Sequence, residues 1–366
     1  MVHSDDEIAA AALAGLPGIG RARLRDLWAK WSRPCLALEA LLAGRVESTH
    51  WARWRTLDAW PAHTRPERVA ENLERFATHV LLPHDRDWPI PSDCLDPPAL
   101  LFARGECFEA LHRPTVAIVG TRSASPHGLA DSREFAGAAA HAGRTVVSGL
   151  AVGIDAAAHN GALDVGGLTI GVVATGPDVV YPRNHDSLHA RIREGGLVLG
   201  EQPFGVQPNR GLFPERNRII AALAPVCVVI EATARGGALS TAAHARRMQR
   251  TLMVVPGSRR NPACAGSNAL LRDGATPLLD RSDLFVALEL ADAGTRTIDD
   301  PTATSGPAIA LPPDAEAVRA ALAGEPATLD QIVSRTQLAP ARVSGGTRDL
   351  ERFGLVTRRS GKIWPT

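Results

Sequence analysis

From Thr115 to about Leu290 the chain alternates short apolar runs with longer stretches of helical character. The runs are Val116–Val119, Thr145–Ser148, Thr169–Val173, Leu197–Leu199, Val226–Ile230 and Leu252–Val255. Each is apolar nearly throughout and rich in Val or Ile, the pattern of strands covered on both faces of a parallel sheet. Helices are predicted between them, for instance over 128–141 and 154–164, with Gly143, Gly166 and Gly195 as stops. Such alternation predicts an α/β fold: an extended Rossmann-like, doubly wound, mostly parallel sheet whose ligands lie at the carboxyl ends of the strands.

The flanks read differently. Residues 1–78 are helical and rich in Ala, Leu, Arg and Trp, while 79–114 carry Pro-rich, extended text such as Leu81-Leu82-Pro83 and Pro97-Pro98-Ala99. We take 79–290 as the central domain, 291–312 as an aperiodic linker rich in Thr, Ala, Pro, Gly and Asp, and 313–366 as a small separate domain. In the N-terminal domain Leu16-Pro17-Gly18-Ile19-Gly20 lies between helical stretches at 8–13 and 21–31. It has the form of the hairpin in helix-hairpin-helix units, where glycine amides hold a phosphate. That makes Gly18, Gly20 and Arg21 candidates for a secondary DNA contact. The C-terminal domain reads as helices over 315–322, 329–335 and 340–353, then strands at 355–359 and 362–364 turning through Ser360-Gly361. This is a winged-helix pattern, and Arg342, Arg348 and Arg352 on its third helix are candidates for reading DNA. A protein-contact module with a solvated basic face remains the alternative.

Charge alone decides little, because the net charge is only +1. Of the 40 basic residues, however, all but Lys30 and Lys362 are arginines. Any phosphate contact is therefore expected to be an arginine fork, able to bind bidentately and to stack. Five scattered cysteines without CxxC spacing support neither a zinc site nor a disulfide framework. The sequence contains no run long enough for a membrane span and no secretory leader pattern, so a cytoplasmic location is expected.

Gly, Ser, Thr and Arg concentrate at the predicted strand ends: Gly120-Thr121-Arg122-Ser123 after the first, Ser148-Gly149 after the second, and Arg235-Gly236-Gly237 after the fifth. Glycines allow close backbone approach, and helix N-termini present free amides to an anion. A single loop of this kind is an ordinary βα turn; three together point to a phosphate-bearing ligand. The common nucleotide cofactors lack their signatures. Gly120 has no GxGxxG partners, and neither lysine lies in a GxxxxGK motif, so no cofactor is expected.

Several tempting residues have plainer readings. Asp155 and His159 have i, i+4 spacing but no third ligand, so Asp155 reads as a cap or dipole partner and no metal site is expected. Glu231 could serve as a base in a nucleotide-hydrolysing enzyme, or simply order the neighbouring loop. Ser240 and Thr241 lack a His-Asp relay. Tyr181, Phe204 and Phe213 could stack bases, although core packing is the favoured reading. Arg216 and Arg218 flank Asn217 on a predicted helix, one arginine being placed for phosphate, while Ile219 and Ile220 face the core.

Eight motifs in order, which together with the Pro-rich entry before Thr115 cover about 200 residues, resemble the DprA/Smf family of DNA-processing proteins. They are Val116–Arg122, Ser148–His159, Gly176–Asn184, Gly200–Pro203, Phe213–Ala222, Glu231–Ala242, Val255–Gly257 and Gly266–Ala275. The resemblance implies a homodimer that binds single-stranded DNA with little sequence preference. It further implies a protein that helps load the RecA recombinase onto strands coated by single-strand-binding protein, chiefly in natural transformation, without catalytic turnover. By the same resemblance the N-terminal domain is a sterile-alpha-motif-like packing unit. The family's basic pocket maps onto Arg122, Arg183 and Arg210, the latter two standing where lysine is common, and Arg235 matches another basic position. Gly237 departs from the family pattern, which has Ser there. Two other classes stay in view: a Rossmann-like enzyme that cleaves nucleotides, and a winged-helix transcriptional regulator.

Overall fold

In a computed structural model all six apolar runs become strands of one sheet. The structure describes residues 3–47, 49–295, 312–322, 326–352, 355–359 and 362–365. It divides into two compact units, Met1–Leu279 with Ala287–Ala291, and Asp280–Val286 with Asp292–Thr366. Most of the expected linker, 296–311, lies outside the described residues.

The first unit opens with helices α1 (Asp5–Ala14), α2 (Arg21–Trp31), α3 (Pro34–Leu42) and α4 (Pro66–Arg75). Ser4 begins α1 with a capping box: its hydroxyl accepts from the Glu7 amide, and the Glu7 carboxylate accepts from the Ser4 amide at 2.7 Å. Ala9–Leu13 are all buried, and a face of such small residues lets α3 and α4 pack closely on α1. Trp51, Trp54 and Trp60 fill the same core, which continues through Val80, Leu100, Phe102 and Phe204 into the edge of the sheet.

The sheet carries nine strands in the order β1-β2-β6-β5-β4-β3-β7-β8-β9. They are β1 (Thr78–Leu81), β2 (Leu101–Arg104), β3 (Thr115–Val119), β4 (Thr145–Ser148), β5 (Thr169–Val173), β6 (Gly196–Gly200), β7 (Val226–Val229), β8 (Thr251–Val254) and β9 (Thr276–Pro277). All neighbours from β6 to β9 are parallel; β1 and β2, from the Pro-rich text, add antiparallel strands beside β6. Three strands thus join the six expected from periodicity. Helices α5 (Pro126–His141), α6 (Ile154–Leu163) and α7 (Asp186–Glu194) follow β3, β4 and β5. Helices α8 (Leu212–Leu223) and α9 (Ala238–Arg247) belong to the opposite layer, where Ile219, Ile220 and Ala242 meet Ala117, Val119, Val147, Ile170 and Val172. Val173 and Val198 face the other way, toward Leu188 and Ile192 of α7. Helix α10 (Ala265–Arg272) follows β8, and α11 (Arg281–Thr295) follows β9. Because β3 lies between β4 and β7, the chain reverses direction across the sheet at β3, and the loops after β3 and β7 flank that switch point.

The second unit is a winged helix. Helices α12 (Pro313–Leu322), α13 (Leu329–Thr336) and α14 (Pro340–Arg352) accompany a small sheet of β10 (Ala327–Thr328), β11 (Val356–Arg359) and β12 (Lys362–Pro365), in the order β10-β12-β11. Its core holds Val318, Leu322, Ile332, Val343, Leu350, Val356 and Ile363. Thr328 and Gln331 form a capping box that starts α13. Phe353 and the expected turn at Ser360-Gly361 lie outside the described residues.

Candidate nucleic-acid interface

The loops after β3 and β4 nest against each other through glycine. Gly153 has φ +86°, and a Cβ there would meet the Thr121 carbonyl at 2.5 Å. A Cβ on Gly149 would lie 2.7 Å from both Arg216 and Asp155. Only bare backbone fits at these points, which brings the two loops together over one patch.

Beneath the patch lie a buried arginine and a buried carboxyl, Arg216 and Asp155, which attract each other across the Gly149 backbone without a direct hydrogen bond. The Arg216 Nη1 donates to the Gly149 carbonyl at 2.6 Å and also to the Val172 carbonyl, while its Nε donates to Asn217 Oδ1 at 3.2 Å. Asp155, the second residue of α6, accepts from the Ala151 amide at 3.4 Å. Burial raises the Asp155 pKa, against the pull of Arg216 and the backbone amides. Burial likewise draws Arg216 down to about 10, so it stays charged at neutral pH. Asn217 donates from Nδ2 to the Gly237 carbonyl at 3.2 Å, tying α8 to the glycine loop after β7.

Above this pair Arg122, Gly149, Leu150, Ala151, Thr175, Tyr181 and Phe213 line a shallow hollow. The Arg122 guanidinium sits over the Phe213 ring at 5.0 Å, and the Tyr181 and Phe213 rings lie 5.4 Å apart at 48°. Arg183 follows Tyr181 by two residues and Arg210 precedes Phe213 by three; both are exposed, and neither is among the residues that line the hollow. Among the described residues, Arg122, Arg183 and Arg210 have no acidic partner. Exposed and uncompensated cations beside aromatic faces are what a polyanion with stackable bases requires.

Other expected contacts fall elsewhere. Arg216 is turned inward as described, and Arg218 pairs with Glu201 at 2.6 Å and with Asp96. Ser148 is fully buried and donates to the Ile118 carbonyl at 2.6 Å, and Thr121 Oγ1 accepts from the Ser123 amide. Gly120 ends β3 at the patch, Gly236 closes a turn on the Thr233 carbonyl, and Arg235 beside it is exposed. Phe204 is core, packed on Phe76 and Phe102. Arg21 is held by Asp96 at 2.7 Å and Glu215 at 3.1 Å, with Arg25 on the same Asp96. Burial raises the Asp96 pKa, but hydrogen bonds from Arg21 and Arg25 outweigh it and hold the carboxyl far below the usual range. Gly18 has φ +80° and its carbonyl accepts from Arg23, while Gly20 caps α2. In the winged helix Arg342 pairs with Asp314 at 2.5 Å, whereas Arg348 is exposed.

Glu231 orders the loop after β3, as its second reading expects. Its carboxylate accepts from the Ser125 amide at 2.8 Å and hydroxyl at 2.5 Å, and its carbonyl accepts from Thr121. Among the described residues no three His, Cys, Asp or Glu are grouped to hold a metal, and no helix is long and apolar enough to cross a membrane. Sequence reasoning passed over Arg259 and Arg260, two adjacent arginines just past β8, reading that stretch only as Val-Pro-Gly. Their position after a strand was the available signal.

Comparison with known proteins identifies the family. The family model for DNA recombination-mediator protein A matches residues 79–289, and that for the DprA winged helix domain matches 302–362. A putative DNA processing protein DprA of Mycobacterium tuberculosis is 36% identical over 366 aligned positions, covering 92% of each chain. Protein Smf of a Synechocystis strain is 36% identical over 81% of this chain and 82% of its own. The crystal structure of DprA from Streptococcus pneumoniae superposes with TM-score 0.63 at 30% identity, covering 78% of this chain and 98% of that one. DNA processing protein A from Helicobacter pylori, studied for its single-stranded DNA binding mode, gives 0.52 at 30% identity over 59% and 96%.

Proposed function

The chain belongs to the DprA/Smf family of DNA-processing proteins, and on that premise we propose that it binds single-stranded DNA at the hollow around Arg122. The observation that carries the reading is the Arg122 guanidinium stacked on Phe213 with Tyr181 beside it, at the carboxyl edge of a parallel sheet. Arg122, Arg183 and Arg210 contact phosphates, the Gly120 and Gly149 loops admit the backbone, and the Tyr181–Phe213 pair offers a face to bases. Base faces are alike enough that such binding tolerates any sequence. Arg216, Asn217, Ser148, Thr121 and Arg21 hold the loops and need not touch DNA. Arg235 and Gly236 mark the continuation of the site past the switch point, and Arg348 a secondary contact on the winged helix.

The protein acts as a mediator, with no cofactor and no turnover. As a cytoplasmic homodimer it takes up single strands, shields them and helps load RecA against single-strand-binding protein during natural transformation. Fluorescence anisotropy with oligo-dT and with duplex of equal length, titrated over salt, tests the DNA reading; preference for duplex would overturn it. Arg122→Ala is expected to weaken single-strand binding by about 1–3 kcal/mol and to lower the salt slope by about 0.7 for one lost phosphate contact. Phe213→Ala should cost about 1–3 kcal/mol with the slope unchanged, because stacking releases no counterions. Equal slopes for wild type and Arg122→Ala would remove Arg122 from the site.

A further inference from the structure

We propose that Arg259 and Arg260 form a second phosphate-gripping station, over which a strand held at Arg122 continues across the switch point by way of Arg235. The inference rests on the single-strand reading of the hollow and extends it to residues outside that hollow.

The registers bring the ends of the three strands that precede these arginines to one level. Val119 of β3 pairs with Val229 of β7, and Val229 with Val254 of β8, so the loops bearing Arg122, Arg235 and Arg259-Arg260 leave the sheet side by side. From β3 to β8 is two strand spacings, roughly 10 Å. A single strand leaving the hollow in that direction passes over the loop after β7 and then the loop after β8.

The last loop is firmly built. Gly257 exchanges two hydrogen bonds with Asn268 of α10, its amide donating to Oδ1 at 3.2 Å and its carbonyl accepting from Nδ2 at 3.0 Å. A Cβ on Gly257 would collide with Cys264 Sγ, so the turn is tucked against α10. Ser258 Oγ accepts from the Arg260 amide, the Ser258 carbonyl accepts from the Asn261 amide at 2.9 Å, and Asn261 Oδ1 accepts from Ala263. Both arginines are exposed on this turn, and among the described residues neither has an acidic partner. Their neighbours behave differently: Arg246 lies on Asp273 and Arg250 is clamped by Asp93 at 2.7 Å. The acid nearest the path along the chain, Glu231, is buried and taken up by Ser125. Nothing described therefore neutralises the arginine pair, and a phosphodiester chain is the anion whose repeat suits spaced, uncompensated forks.

The test compares a thymidine dinucleotide, too short to cross the roughly 10 Å from the hollow to the second station, with oligo-dT of about 20 nucleotides, long enough to occupy both. The double variant Arg259→Ala/Arg260→Ala is expected to bind the short strand as wild type does. It should bind the long one about tenfold more weakly, with a salt slope lower by about 1.4 for two lost phosphates. Arg259→Lys/Arg260→Lys, which keeps the charge, should retain the wild-type slope. Unchanged long-strand affinity and slope in the folded alanine double variant overturn the second station alone. A wild-type protein that binds neither strand, or an Arg122→Ala variant that binds both normally, overturns the underlying reading instead.

Discussion

Replacing Arg216 with methionine is expected to destabilise the fold by about 2–5 kcal/mol, because it leaves two buried carbonyls without their donor and a buried carboxyl without the nearby cation. Arg216 satisfies the Gly149 and Val172 carbonyls and faces Asp155 in a site closed to water. Methionine fills much the same volume but leaves those carbonyls short of a donor and the carboxyl without its cation. Protonation of Asp155, already raised by burial, sets a ceiling on the loss. Urea unfolding at neutral pH measures it, and Arg216→Met/Asp155→Asn should recover part of the deficit, since the stranded charge is then gone. The same experiment assigns Arg216 its role. If Arg216→Met unfolds like wild type yet loses single-strand affinity, the side chain contacts DNA directly and the structural assignment is wrong.

That distinction could not be read from the sequence, and the reason is physical. Periodicity reports which runs are buried, and all six runs from Val116 to Val255 became strands. It is silent where strands are short and Pro-flanked, so β1, β2 and β9 went unseen. Loop composition located the ligand edge, because Gly120, Gly149 and Arg122 sit where strands of a doubly wound sheet end. Composition cannot tell an arginine that faces solvent from one that turns under the loop. Arg122 and Arg216 look alike as letters, yet one lies on Phe213 and the other bonds Gly149 from below. Nor does spacing along the chain show that Asp96, in the Pro-rich segment, collects Arg21, Arg25 and Arg218. That hub joins residues far apart in sequence, and it is what withdraws Arg21 from the hairpin's expected phosphate contact.

Acidification is expected to remove about 4 kcal/mol of stability between pH 7.5 and pH 5, through two buried histidines. His159 on α6 lies 2.7 Å from Thr169 Oγ1 through Nδ1, and Thr169 in turn donates to the Val146 carbonyl. The Thr169 hydroxyl therefore receives the Nδ1 proton, and the buried Nε2 has no partner among the described residues. His189 on α7 likewise buries an unpartnered Nε2. Burial lowers His159 to about 3, with His189, His185 and Arg216 adding repulsion. Burial lowers His189 to about 4; the Tyr181 backbone opposes the shift, Arg193 and His185 assist it, and Asp186 resists it. In the unfolded chain both take up protons near 6.5, so below that pH the unfolded state binds more protons and stability falls. The contribution is complete above about 6.5 and declines by about 1.4 kcal/mol per pH unit for each histidine until the folded values are reached. Asp155 and Glu201, both raised by burial, act in the opposite sense as they take up protons. Urea titrations across this range in His159→Gln/His189→Gln should show a much flatter profile than wild type, because the substitutions abolish both ionisations. A wild-type protein equally stable at pH 5 and pH 7.5 would mean that these rings are already solvated or charged, and that α6 and α7 do not close over them as described.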